Sequence, residues 1–226
     1  MTFSQTLLCV AGFAVAGASA LFLPSGDISF VSNITGGAAL STRGVQGPGQ
    51  GTFDGFFWQN FVAGSFDVIF TNIAGGNYEV QWDGSGDFVV GQGFNPGSTV
   101  MTFSASWEPN PASAAILSVY GWSTNPLVEY YINEDANNFN IGTINPDGST
   151  YDIYEHTQVN QPSIQGTATF NQYLSVRQNK RTSGSVTVQN HVNAWASLGM
   201  NLGAMNLQII AVEGLSSSGQ ATVTVG

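Results

Sequence analysis

The sequence predicts an all-β protein, a β-sandwich or β-jelly roll. Three observations carry this. From Gly51 to the C-terminus, short apolar runs alternate with polar residues at a period of two. Gly, Asn, Pro and Asp punctuate them at close spacing. Only one segment shows the spacing of a helix. Many short strands with almost no helix must bury their apolar faces against one another.

In chain order, "SFDVIFTN" places Phe66, Val68 and Phe70 on one face, and "NYEVQWDG" does the same with Tyr78, Val80 and Trp82. The strands "TVMTFSASWEP", "ILSVYGW", "LVEYYIN", "STYDIYEHTQV", "ATFNQYLSVRQ", "GSVTVQN", "LQIIAVEG" and "QATVTVG" follow. Turns are expected at "GGN", "GSGD", "NPGS", "PNP" and "NPDGS". In "NHVNAWASLGM", Val192, Trp195, Ala196 and Gly199 have helical spacing, which predicts a short helix across the back of a sheet.

The N-terminus reads differently. Residues 1–20 run from an apolar stretch, Leu7 to Ala18, into the small-x-small site Ala18-Ser19-Ala20. That is the pattern of a cleaved signal peptide, so the protein is expected to be secreted and extracellular. The only cysteine, Cys9, would leave with it, and a mature chain without disulfides must rely on its core. Residues 21–50 have mixed pattern and read as a propeptide or loose N-terminal extension. They hold the sequon at Asn33 and a candidate processing point at Arg43.

Charge narrows the partners. Only 8% of residues are charged, the net charge is −10 and the pI is near 4.1. This disfavours nucleic acid and anionic membranes, which need a basic surface. A surface rich in Ser, Thr, Asn, Gln and aromatics suits a neutral polar polymer, with carbohydrate the natural candidate. His156 and His191 have no ligand-like spacing, so no metal site is expected. Arg177, Lys180 and Arg181 in "SVRQNKR" read as solvated charges on a strand and turn.

Against that low charge, two carboxylates stand out. Glu129 interrupts the apolar, aromatic "LVEYYIN", and Glu213 closes the apolar run before "EG" in "QIIAVEGLSSSG". Alternation groups Leu127, Glu129 and Tyr131 on one face, with Val128 and Tyr130 on the other. The structural alternative is that each is a solvated or satisfied carboxylate. The functional one is a glycosidase pair, which needs an ionised nucleophile and a protonated acid/base in one concave site.

At these residues the chain resembles the family 11 glycoside hydrolases, small secreted endo-1,4-β-xylanases. The resemblance runs from about Gly51 to the end through "SVYGWSTNPLVEYYI", "GSTYDIYEHTQVNQPSIQGTATFNQY", "SVRQNKRTSGSVTVQNHVNAWASLGMNLG" and "AVEGLSSSGQATVTV". It implies that residues 51–226 are a catalytic jelly roll of two twisted antiparallel sheets around a deep cleft. It further implies Glu129 as nucleophile, Glu213 as acid/base, and a thumb loop at 160–166. Tyr120, Tyr131, Pro162 and Gln172 match sugar-contacting positions, as does Trp122 in "VYGW". Asp87 matches a position beside the acid/base whose Asp form accompanies an acidic working pH.

Some positions depart from the family pattern. Phe61 stands in place of a stacking Trp, and Gln158 and Val159 in place of an Arg-Tyr pair. Leu207, Leu215 and Ile116 replace tyrosines, and Phe94 and Leu174 stand where Trp is common. The expected function is a retaining endo-1,4-β-xylanase acting on xylan or xylo-oligosaccharides at acidic pH, monomeric and without a cofactor. The rival is a catalytically weak xylan-binding or decoy protein on the same scaffold. A β-sandwich lectin is the third reading.

Overall fold

The computed structural model describes residues 43–136 and 149–226. The signal segment, the Asn33 sequon and most of the "NPDGS" turn lie outside the described residues.

The strands are β1 (Arg43–Gln46), β2 (Gly49–Phe53), β3 (Phe56–Ile73), β4 (Asn77–Phe94), β5 (Met101–Pro109) and β6 (Ala114–Thr124). They continue as β7 (Val128–Ala136), β8 (Tyr151–Ser163), β9 (Gly166–Arg177), β10 (Ser183–Val186), β11 (Ala204–Leu215) and β12 (Ser218–Val225). One helix, α1 (Val188–Ser197), lies between β10 and β11.

All twelve strands share one hydrogen-bonded ladder, in the order β10-β5-β12-β4-β11-β6-β7-β9-β8, with β3 alongside β4 and β1 and β2 on β3. The two layers expected from the sequence are therefore two halves of one folded sheet. Strand β4 makes the fold-over possible: its first half, Asn77–Asp83, pairs with β12, and its second, Asp87–Phe94, pairs with β11. The pairing is antiparallel except between β7 and β9, which run parallel.

The main core lies between the halves. Tyr78, Val80, Trp82, Met101 and Val223 from one half meet Leu117, Val119, Tyr130, Ile132, Ile210 and Val212 from the other. Burying these side chains supplies the dominant stabilisation. The Tyr78 hydroxyl donates to the Ile210 carbonyl at 2.9 Å, so its polar atom is satisfied inside that core. Phe66, Val68 and Phe70 pack there as their alternation predicts.

Several local expectations need correction. "GSGD" is no turn: β4 runs straight through it, with Gly64 opposite Gly86 and Phe66 opposite Gly84. The strand expected over "GSVTVQN" ends at Val186, and the helix begins two residues later. The helix buries Val188, His191 and Trp195, whereas Ala196 and Gly199 are exposed. Trp195 packs at a tilt against Tyr130 and Tyr173, and His191 meets Tyr151 edge-on at 4.7 Å, so α1 braces the back of β7–β9. The periodicity was offset because the face starts at Val188, inside the presumed strand.

Strand β1 and the start of β2 fall within the segment read as a loose extension. Both pair with β3, and Arg43 forms an ion pair with Glu79. The "SVRQNKR" cations are not simply solvated either. Arg181 pairs with the buried Glu134, Arg177 lies 3.9 Å from the same carboxylate, and Lys180 is 3.4 Å from Asp135. They neutralise the acidic end of β7, where sequence showed only a charge cluster.

Candidate active site

The site forms on the face of β6, β7, β9, β11 and β4 that turns away from the main core. Alternation along β7 sends Val128, Tyr130 and Ile132 into that core and leaves Glu129 and Tyr131 on the opposite face. This face is not solvated: Tyr120, Trp122, Tyr131, Val89, Phe170, Leu207, Ile209 and Ala211 form a second buried cluster there. The alternative of a solvated carboxylate fails on burial, because Glu129 is 8% exposed and Glu213 1%.

Register delivers the partners of Glu129. Trp122 on β6 and Gln172 on β9 lie directly across from it, and Tyr120 lies across from Tyr131. The Tyr120 and Tyr131 hydroxyls donate to Glu129 Oε1 at 2.8 and 3.1 Å, and Gln172 Nε2 donates to Oε2 at 2.7 Å. Burial pushes the Glu129 carboxyl above its usual range, and these three donors pull it back by stabilising the charged form.

Glu213 has the opposite environment. It sits on β11 between Val89 and Ile116, and neither of its carboxyl oxygens meets a hydrogen-bond partner. Burial, then the charges of Asp87 and Glu129, raise its pKa well above the carboxylate range, with Tyr131 offsetting a smaller part. Asp87, on β4, is raised to about 7, by burial first and then by Glu129. The environment thus splits the carboxyls into one primed to ionise and two primed to keep protons.

No cation relieves this crowding. The chain has four Lys and Arg residues, and Arg43, Arg177, Lys180 and Arg181 are all paired with Glu79, Glu134 or Asp135 elsewhere.

The remaining predicted residues fall at different depths. Phe61 lies in one row with Val89 and Glu213 and is 38% exposed, so its ring stands at the rim. Trp122 is buried beneath the site: its indole N–H donates to the Tyr120 hydroxyl at 2.6 Å and its ring packs on Phe170. That geometry holds Tyr120 rather than offering a free face. Pro162 is exposed near the tip of the β8–β9 hairpin, while Ile164 and Ala168 of that hairpin pack on the site cluster.

Among the departures, Leu207 and Ile116 are buried and Leu174 packs on the site cluster. Val159 is exposed. Phe94 is not in the cleft: it packs on the main core, with its ring 5.7 Å from Phe56. Sequence reasoning treated Gln158 only as a lost Arg. It is buried, and its Nε2 donates to Gln172 Oε1 at 3.1 Å. A separate surface groove of about 500 Å³, lined by Asp67, Asp83, Glu108 and Gln220 among others, contains none of the predicted residues. Among the described residues, no three His, Cys, Asp or Glu side chains gather to hold a metal, and no helix is long and apolar enough to cross a membrane.

A folded jelly-roll sheet carrying two buried carboxyls in unlike hydrogen-bond environments is the arrangement that glycoside hydrolysis needs. The chain belongs to the glycosyl hydrolases family 11, whose family model matches residues 53–224. It is 48% identical over 206 residues to endo-1,4-beta-xylanase B of Phanerodontia chrysosporium, covering 88% of this chain and 70% of that protein. It is 50% identical over 194 residues to endo-1,4-beta-xylanase 2 of Rhizopus oryzae, covering 82% of this chain and 89% of that one. Among solved structures, a xylanase from a comparison of two major endo-1,4-beta-xylanases of Trichodrema reesei matches with a TM-score of 0.70 and 52% identity. That match covers 75% of this chain and 97% of the other.

Proposed function

We propose that the protein is a secreted endo-1,4-β-xylanase that cleaves internal bonds of xylan with retention. One observation carries the reading: Glu129 receives three hydrogen bonds from Tyr120, Tyr131 and Gln172, while Glu213 has no partner in full hydrogen-bond geometry and only a weaker contact from the Tyr131 hydroxyl. A nucleophile needs its charge supported, and a general acid needs its proton retained.

In the first step a Glu129 carboxylate oxygen attacks the anomeric carbon. The glycosidic C–O bond breaks with its electron pair going to the leaving oxygen, which takes the Glu213 proton. In the second, Glu213 removes a proton from water as that oxygen attacks the same carbon, and Glu129 departs as carboxylate. No cofactor enters the balance. Phe61 at the rim and Pro162 on the hairpin supply apolar sugar contact. Tyr131 and Gln172 orient the nucleophile, and the buried Trp122 contributes through Tyr120.

Asp87 titrates near 7 and its charge acts on Glu213, so activity changes as pH rises through about 7 and declines above it. The working range therefore lies on the acid side of neutral. Residues 51–226 would constitute the catalytic unit, preceded in the precursor by the signal peptide and the 21–50 extension, and the enzyme would act as a monomer.

The test is reducing-sugar release from soluble xylan between acidic and neutral pH, with Glu129→Gln in parallel. Release that disappears in the variant supports the reading. Xylan binding by the wild-type protein without release would replace the enzyme by a binding protein on the same scaffold.

A further inference from the structure

The donor set of Glu129 contains one weak point. A tyrosine hydroxyl can only approach a carboxylate usefully as a donor, whereas a glutamine side chain has a donor end and an acceptor end of nearly equal size. Rotating the Gln172 amide by half a turn would aim its oxygen at Glu129 Oε2. That orientation repels an ionised carboxylate and suits a protonated one. Something must therefore select the orientation in which Gln172 Nε2 lies 2.7 Å from Glu129.

Gln158 occupies the place to do this. It sits on β8 opposite Phe170, is buried, and directs its Nε2 at Gln172 Oε1 from 3.1 Å. Turning the Gln172 amide would then bring two NH₂ groups together at one end and two acceptors at the other. In a buried setting each such mismatch costs more than at the surface. The chain Gln158–Gln172–Glu129 runs through three neighbouring strands, β8, β9 and β7, whose ladder pairings hold its members in place.

We propose that Gln158 is a positioning residue for hydrolysis: its amide fixes the donor end of Gln172 on Glu129 and so favours the ionised nucleophile. The inference rests on the reading of Glu129 as nucleophile. Gln158 reaches the chemistry only through Gln172, and being neutral it adds no charge to a site that holds three carboxyls and no Lys or Arg.

The titratable groups around this relay define what its loss would do. Glu129 and Tyr131 face it from β7, Tyr120 from β6, and His156 from across Gln172 on β8, with Tyr154 farther along that strand. Glu213 on β11 and Asp87 on β4 couple to it through the charge of Glu129. Of these groups, Glu129 accepts a hydrogen bond from the relay. Loosening Gln172 therefore destabilises one charge, and the acid limb of the pH profile moves to higher pH while the basic limb stays in place.

The experiment compares wild type, Gln158→Met and Gln158→Arg. Two readouts are taken: kcat and KM on xylan across pH, and the ¹³C-detected titration of the Glu129 carboxyl. Gln158→Met removes the donor at similar volume. It is expected to lower kcat about tenfold with KM nearly unchanged, the loss of one ordered charge-assisted hydrogen bond. It should also raise the acid limb by about half to one pH unit. Gln158→Arg restores a donor and adds a cation, so kcat recovers and both limbs move to lower pH.

A Gln158→Met protein with unchanged melting temperature, acid limb and Glu129 titration would overturn the proposal. Should methionine overcrowd the site and prevent folding, Gln158→Ala carries the same expectations. If wild type releases no sugar, the reading of the enzyme fails, and the carboxyl titration alone still decides whether Gln158 controls Glu129.

Discussion

Asp87 and Glu213 are diagonal neighbours on one face of the sheet: Glu213 pairs with Val89 and Asp87 with Leu215, so each carboxyl is two residues out of register with the other. The charge of Asp87 raises the proton affinity of Glu213, and Asp87, itself raised by burial and by Glu129, loses its proton near pH 7. Asp87→Asn leaves only Glu213 to deprotonate, and burial alone keeps that group high. The basic limb of kcat/KM should therefore move to higher pH, carrying the optimum upward. A pH–rate profile of Asp87→Asn that superimposes on wild type would refute the coupling.

The same groups tie stability to pH with a definite sign. Folding raises the Asp87 carboxyl from 3.8 to about 7, so between these values the native state binds a proton that the unfolded chain has released. Its contribution is fully present below about pH 4 and is lost as pH rises through about 7. Glu129 and Glu213 are raised as well and act in the same direction. The melting temperature should fall across this interval, and less steeply in Asp87→Asn. Calorimetry on both proteins measures the difference.

Gly91 lies opposite Ala211, two residues from Glu213 along β11. A Cβ on Gly91 would run into the Ile210 carbonyl oxygen and crowd the Ala211 Cα at 3.1 Å. Gly91→Ala must push β11 away from β4, and overpacking of this kind costs about 1–3 kcal/mol. Because the strand that moves carries Glu213, the proposed acid/base, activity should drop along with the melting temperature. Chemical denaturation and kcat on the same preparation check both.

Glu134 is 1% exposed and accepts from Tyr151 at 2.6 Å besides pairing with Arg181. Glu134→Gln leaves the Arg181 and Arg177 guanidinium groups facing a neutral amide. Removing one partner of a buried pair costs about 3 kcal/mol or more. The predicted outcome is a clear loss of stability with little change in the pH limbs, since Glu134 lies five residues along β7 from Glu129.

Much of this was visible in the chain itself. The strict alternation of Phe66, Val68 and Phe70, or of Tyr78, Val80 and Trp82, can satisfy only a half-buried strand, and the structure places both sets in the core. Glu129 was conspicuous because few charges accompany it. What sequence could not show was which faces oppose which. "GSGD" has the composition of a turn, yet strand pairing across Gly64 and Gly86 carries the ladder through it. Trp122 shares the site face by parity, but only the fold reveals that its indole points at Tyr120. Gln158 registered merely as a missing charge, because a hydrogen bond spanning β8 and β9 leaves no local signature. The basic cluster near Arg177 looked solvated for the same reason, its carboxylate partner lying on another strand.

The parallel pairing of β7 with β9 has a kinetic consequence. The Gln172–Glu129 bond joins residues 43 positions apart, and a parallel neighbour cannot be reached by a tight turn, so the chain must first travel out through β8 and back. Loop closure of that length is slow compared with forming the β8–β9 hairpin. Glu129 therefore acquires its Gln172 donor only when β9 docks on β7. Hydrolysis should return in refolding no earlier than the docking of β9 onto β7, and an assay for sugar release would set that limit.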